Sequence, residues 1–334
     1  MRWAVIGAST IAAEHMINAI RVQPGAAISC VVSTGMARAA TFAAQHGIDH
    51  ATTDLHAALH NPDITAVYIS STNEKHHAQA MAAIAAGKHV LCEKPLAMTQ
   101  EHAGEMVAAA RAAGVVLATN HHLRCAGAHR AIAELIADGK IGQVLSVRLF
   151  HAVHLPPHLQ GWRISDVAAG GGVIADITVH DADTLRFLLG EDPVDVVAQA
   201  SRSDMVDGVE DSVMSIWTMP SGAMVFAHES FIHAFAGSGL EVHGTTGSII
   251  ARGVMTQRPV GQIELVTGAG RRAVPYAAHD LYGQSVRQFT AAVTGTGLPA
   301  ADGSDGAKSL AVALAVRQAA LTGTRQRIDY RHAV

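Results

Sequence analysis

At 334 residues the chain exceeds the size at which a single hydrophobic core stops growing, so two domains are expected. Hydrophobic residues make up 49% of it and charged residues 16%, which suits packed cores and excludes long disorder. The formal charge of −4 excludes the basic footprint of a nucleic-acid binder and any polybasic membrane patch, leaving small molecules as the expected partners.

Cys30, Cys92 and Cys125 are odd in number, far apart and form no CxxC pair, the usage of reduced thiols in a cytoplasmic protein. Met1-Arg2-Trp3-Ala4-Val5-Ile6 enters a strand at once, leaving no room for a signal peptide. No apolar run is long enough to span a membrane, so the expected location is cytoplasmic.

In chain order, Trp3 to Ile6 reads as a strand, followed by a turn at Gly7 to Ala12 and a helix through Ile20. A strand at 28–32, a helix at 37–46, a short helix at 54–59 and a strand at 66–70 come next. Helix 76–86 ends at Gly87, whose tolerance of positive φ suits a C-cap. Strand 89–92, helix 100–113 and strand 115–119 complete an alternation that means βαβ units. The expected class is α/β, a Rossmann-type doubly wound parallel sheet over residues 1–121.

Ligands of such folds bind outside the carboxyl ends of the strands. Here those ends are Gly7 to Ile11, Ser33-Thr34, Ser71-Thr72-Asn73, Glu93-Lys94 and Asn120-His121-His122, all able to hydrogen-bond. The first turn carries Gly7, Ser9 and Ala12 where the dinucleotide fingerprint has GxGxxG. Gly7 permits the tight turn and Ala12 close packing, while Ser9 offers a hydroxyl to a pyrophosphate at the helix N-terminus. After the second strand, Ser33-Thr34-Gly35-Met36-Ala37-Arg38 has no acid for a ribose 2′-OH and one arginine for a 2′-phosphate, which favours NADP(H) over NAD. Lys94 stands between the end of strand 89–92 and Pro95, a position that holds it extended at the crevice.

From residue 143 onward period-2 runs dominate, at 144–151, 194–200, 212–219, 223–228, 240–244, 248–251 and 263–266. With helices near 126–138, 175–190, 280–294 and 305–322, residues 122–334 are expected to form an α+β domain with an open, mostly antiparallel sheet covered on one face. It is expected to bind substrate and is the candidate domain for oligomerisation. Glycines at 170–172 precede a helix and permit a close backbone approach. Asp176 and His180, four apart, share a helix face, so the carboxylate can orient an imidazole suited to proton transfer; a satisfied buried histidine is the structural alternative. No metal is expected there for want of a third ligand, nor at His151, His154 and His158, where Pro156 and Pro157 break the helix. Among the 21 histidines, His76-His77 and His121-His122 lie at strand ends beside the crevice. Trp162-Arg163 pairs an aromatic with a cation in a loop, suited to stacking and to carboxylate or hydroxyl binding.

With Gly7-Ala8-Ser9-Thr10-Ile11-Ala12, Glu93-Lys94-Pro95 and the spacing from Gly171-Gly172 to Asp176 and His180, the chain resembles the glucose-fructose oxidoreductase, inositol dehydrogenase and MocA family along its length. Longer strings resemble one branch of it: Ser70-Ser71-Thr72-Asn73-Glu74, Thr119-Asn120-His121-His122-Leu123-Arg124, the run from Leu155 to Arg163, and that from Val254 to Gly261. The resemblance to that branch implies NADPH-dependent reduction of a cyclic 2-keto sugar, 1,5-anhydro-D-fructose, to 1,5-anhydro-D-mannitol. It also implies cofactor contacts from Ser9, Thr10, Ile11 and Ala12, from Ser33, Thr34 and Arg38, and from Ser71, Thr72, Asn73, Glu74 and His76. Further contacts are implied for Glu93, Lys94, Asn120, Trp162, Arg163 and Tyr282.

The expected chemistry is direct hydride transfer to the carbonyl carbon. Lys94 would stabilise the developing alkoxide and His180 deliver the proton, with Asp176 fixing its tautomer or binding a substrate hydroxyl; Lys94 as proton donor is left open. The alternatives are a sugar or inositol dehydrogenase of the same family working oxidatively, and a non-catalytic dinucleotide-binding sensor. Binding alone does not need Lys94, Asp176 and His180 together. A monomer or a homodimer is expected.

Overall fold

The computed structural model describes residues 1–333. They form two compact units, one built from Met1–His122, Tyr282–Ala307 and the last residues from Arg331, the other from Leu123–Leu281 and Lys308–Tyr330. Residues 282–307, which the sequence reading grouped with the second domain, pack on the first. The cause is apolar and polar together. Phe289 lies 5.2 Å from the fully buried Trp3, the Gln23 side-chain amide donates to the Gly283 carbonyl at 3.1 Å, and Ala118 bridges to Asp302.

The first unit holds strands β1 (Arg2–Ile6), β2 (Ala27–Val32), β3 (His50–Thr52), β4 (Ala66–Ile69), β5 (His89–Cys92) and β6 (Leu117–Thr119). All pair in parallel, in the order β3-β2-β1-β4-β5-β6. Chain order reverses between β1 and β4, the switch point at which doubly wound sheets bind ligands. Strand β3 escaped sequence reading because it is three residues long at the sheet edge and none of them is fully buried. The helix predicted after the first turn begins as a π turn, Ala12–Met16, and becomes α over Ile17–Arg21. Local chemistry sets the other helix ends. Asp54 and Thr99 accept from backbone N–H groups at their N-caps, and Gly47 and Gly114 close helices in the left-handed conformation.

The second unit carries β7 (Val144–Ala152), β8 (Asp195–Ser201), β9 (Ser212–Thr218), β10 (Met224–Ser230) and β11 (Ser238–Gly244). It continues with β12 (Gly247–Arg252), β13 (Gln262–Thr267), β14 (Gly270–Ala273) and β15 (Gln326–Arg327). The order is β14-β13-β12-β11-β7-β10-β9-β8-β15, antiparallel throughout except for the parallel pair β7 and β10. Alternation sorts the faces: Val213, Trp217, Val225 and Glu229 are buried, Glu229 beside Thr178 and Asp181, while Met214, Ile216 and Met224 are exposed. Among the described residues, no helix is long and apolar enough to cross a membrane.

Candidate active site

In the first unit the turn after β1 is built on Gly7. Its φ is +109°, and a Cβ there would lie 2.7 Å from both the Ser70 carbonyl carbon and the Ser71 nitrogen, at the end of β4. Only glycine fits this approach. Ser9 does not offer its hydroxyl outward, as the sequence reading had it. The hydroxyl donates to Ser70 Oγ at 2.8 Å and accepts from the Ala12 N–H at 3.2 Å, so Ser9 caps the helix and ties the turn to β4. Ala12 is fully buried against the sheet, Thr10 is exposed and Ile11 half-buried. The glycine cradle and the small residue at 12 leave the room that a pyrophosphate needs at this helix start, so the turn fits a dinucleotide.

Past β2, Ser33 is half-buried and Thr34 exposed. Arg38 reaches back across the turn, and its Nε and Nη2 donate to the Ala8 carbonyl at 3.1 and 2.6 Å. A cation is thereby held between the first two strand ends, with no carboxylate among residues 33–38.

Past β4, Ser71 Oγ donates to Gln79 Oε1 at 2.6 Å, and Thr72 Oγ1 donates to Glu74 Oε1 at 2.7 Å. Asn73 is buried at the start of a single 3-10 turn. His76 is fully buried, with Nδ1 2.8 Å from the Pro95 carbonyl and Nε2 3.1 Å from the Ser71 carbonyl. Burial holds this imidazole below the ordinary histidine range, opposed by the two carbonyls. Both ring nitrogens are engaged, so His76 joins the β4 loop to the loop after β5. His77 turns the other way, with Nε2 2.8 Å from Glu105 Oε2.

The ends of β5 and β6 share a buried network. Glu93 Oε1 accepts from Tyr68 Oη at 2.7 Å and from Asn120 Nδ2 at 2.6 Å, and Asn120 Oδ1 accepts from Ser285 Oγ at 2.9 Å. Burial, then the Glu93 carboxylate, pushes Tyr68 well above the ordinary phenol range, and the same two causes push up the Cys92 thiol. Lys94 follows Glu93, half-buried, and its peptide bond to Pro95 is cis. Tyr282 enters this unit from far along the chain and lies between two imidazoles, 4.5 Å from His15 and 4.7 Å from His122.

In the second unit, Trp162 and Arg163 lie on a 3-10 turn, the guanidinium 4.7 Å above the indole. Arg163 Nε donates to Asp176 Oδ1 at 3.3 Å and Nη1 donates to the Leu159 carbonyl at 3.2 Å. The glycines before the helix serve this loop. A Cβ on Gly171 would lie 2.7 Å from the Trp162 carbonyl oxygen, and one on Gly172 would lie 2.5 Å from Glu210. Asp176 sits in a π turn, Ile174–Thr178, and the buried His180 in the α-helix Val179–Leu189 that continues it. The simple α-helical stacking expected of a four-residue spacing therefore does not describe this pair. Polar contacts fix the helix: His151 Nδ1 is 2.8 Å from Asp181 Oδ1, and Arg124 Nε donates to the buried Asp183 Oδ2 at 2.7 Å. Glu229 lies against the same turn, and burial, reinforced by Asp181, pushes its carboxyl well above the usual range.

Sequence reasoning missed Tyr68, Ser70, Ser285 and His15 as supports of these ends. Tyr68 alone left a signal, a polar tip inside an otherwise apolar strand.

Residues 1–121 match the model of the oxidoreductase family with an NAD-binding Rossmann fold, and residues 129–250 match the GFO/IDH/MocA C-terminal domain. The chain is 53% identical to 1,5-anhydro-D-fructose reductase of Ensifer adhaerens over 98% of both chains. It is 30% identical to inositol 2-dehydrogenase of Rhizobium meliloti over 96% of this chain and 97% of that one. Among solved structures, a 3-ketoreductase of Actinomadura kijaniata in complex with NADP and TDP-benzene superposes with a TM-score of 0.86 at 26% identity, covering 96% and 97% of the two chains. The Rossmann order, the glycine-built turn and matches spanning both units lead to one conclusion: the chain belongs to the GFO/IDH/MocA family of NAD(P)-binding oxidoreductases.

Proposed function

We propose that the protein reduces 1,5-anhydro-D-fructose to 1,5-anhydro-D-mannitol with NADPH. The observation that carries this reading is the 53% identity, over 98% of both chains, with an enzyme named for that substrate. The choice of NADPH rests on Arg38, held against the first turn, and on the lack of an acid from Ser33 to Arg38.

When bound, the nicotinamide supplies the hydride. The dinucleotide is assigned to Gly7, Ser9, Thr10, Ile11 and Ala12, to Ser33, Thr34 and Arg38, and to the ends of β4, β5 and β6. Trp162, Arg163 and Tyr282 are assigned to it as well. Lys94 takes the carbonyl oxygen, where an ammonium offsets the charge of the developing alkoxide. His180 delivers the proton to that oxygen, and the Arg163–Asp176 ion pair shapes the sugar side. Lys94 is the competing donor.

The test is NADPH absorbance with a panel of cyclic keto sugars and inososes, run beside NADP+ with the matching polyols. The reading predicts that 1,5-anhydro-D-fructose gives the highest kcat/KM, with NADPH preferred to NADH. Faster oxidation of an inositol would make the protein a dehydrogenase, and a spectral shift without turnover would make it a sensor.

A further inference from the structure

Outside the residues assigned above, three side chains of the first unit come within reach of one ion. His77 lies in the first turn of helix His76–Ala85, and His102 and Glu105 lie three apart on helix Gln100–Ala113. Their candidate donor atoms all lie within 4.8 Å of one another. His77 Nε2 is 2.8 Å from Glu105 Oε2, and the His77 and His102 rings stack with centroids 4.0 Å apart and planes 8° from parallel. Neighbouring residues on a helix point about a third of a turn apart, roughly 100°. His76 is turned to Pro95, whereas the half-buried His77 is turned to Glu105 and not to the crevice expected of it.

We propose that His77, His102 and Glu105 form a binding site for a divalent transition-metal ion of the zinc class. Two imidazoles and one carboxylate suit zinc, cobalt, nickel or copper, whereas magnesium and calcium take oxygen donors. Donors about 2.0–2.1 Å from a tetrahedral ion stand roughly 3.4 Å apart. The His77–Glu105 pair is already at or inside that spacing. Parallel rings do not aim their lone pairs at one point, so the exposed His102 ring turns about its χ2 to complete the set, leaving the fourth position to water. The ligands come from two helices and lie 25 residues apart in sequence at the nearest crossing, His77 to His102, which is why no spacing motif announced them. An ion here joins the helix that follows the β4 loop to the helix that follows the Lys94-Pro95 loop, and its effect is structural.

Chelator-treated full-length protein is titrated with Zn2+ by calorimetry, and its unfolding temperature is followed with and without Zn2+. The expected result is one site per chain with a raised unfolding temperature. His102→Ala should weaken that site by at least the ~10–100-fold that loss of an outer-shell partner costs, with Glu105→Gln also weakened. NADPH-dependent turnover of chelated His102→Ala should equal that of the chelated parent. Equal zinc affinity in His102→Ala and the parent would overturn the site. So would no zinc binding by the parent, or loss of the site in His60→Ala instead, since His56 and His60 form another stacked pair.

Discussion

Asn120 and Glu93 are joined side chain to side chain at 2.6 Å, and the carboxylate oxygen that accepts from Asn120 also accepts from Tyr68 at 2.7 Å. Two donors on one buried oxygen lock the last residue before Lys94. Removing either leaves that oxygen under-satisfied, at a cost of about 1–3 kcal/mol. Tyr68→Phe should lower the urea midpoint accordingly, with kcat falling as the Lys94 loop loosens. Unchanged denaturation curves for both Tyr68→Phe and Asn120→Ala would show that the network supports nothing.

Arg38 is the cation we propose for coenzyme selection, and it is also tied to the Ala8 carbonyl, so its loss would affect the turn as well as the binding of a phosphate. Arg38→Ala should therefore raise KM for both coenzymes a little and for NADPH much more, changing the NADPH/NADH ratio by about 10- to 100-fold, the scale of one or two charge-assisted hydrogen bonds. Steady-state kinetics with both coenzymes check this. An unchanged ratio would assign the residue to the turn alone.

His180→Ala should lower kcat by about 10²–10⁴-fold if it delivers the proton. Lys94→Ala should lower kcat/KM at least as far if, as proposed, it offsets the charge of the alkoxide. Comparing both under identical substrate saturation separates the roles: full kcat in His180→Ala would transfer the proton to Lys94.

His129 gives a stability prediction with a sign. It is fully buried at the start of helix Gly127–Ala137, its Nδ1 3.0 Å from the Leu123 carbonyl, and burial lowers its pKa from 6.5 to about 4. The unfolded chain takes up a proton near pH 6.5 that the folded chain refuses until about pH 4. Stability is thus complete above pH 6.5 and falls as pH drops through that window, by about 3 kcal/mol from this group. His129→Gln should flatten that acid limb, as measured by urea unfolding between pH 7 and 4.

What could be read from the sequence followed physical regularity. The apolar runs of β1, β4 and β5 and the polar residues after them sufficed for the Rossmann sheet, because a buried parallel strand must be apolar and its end must stop being so. His50–Thr52 carries no such run. The π turns at Ala12–Met16 and Ile174–Thr178 have no compositional signature, so the geometry around Asp176 was out of reach. Tyr282 was named only through family resemblance, since nothing local says that a residue so late in the chain packs between His15 and His122. Ser9 shows the converse limit: the sequence marks the residue of the turn, but not that its hydroxyl has a partner in Ser70.

The most direct test of the central claim follows the hydride itself. NADPH deuterated at the transferred position of the nicotinamide ring is incubated with 1,5-anhydro-D-fructose and the protein, and the product is read by NMR. Direct reduction predicts 1,5-anhydro-D-mannitol with one deuterium at C2, formed mole for mole with coenzyme consumed. Product without deuterium at C2, or no product while the coenzyme stays bound, would contradict the account.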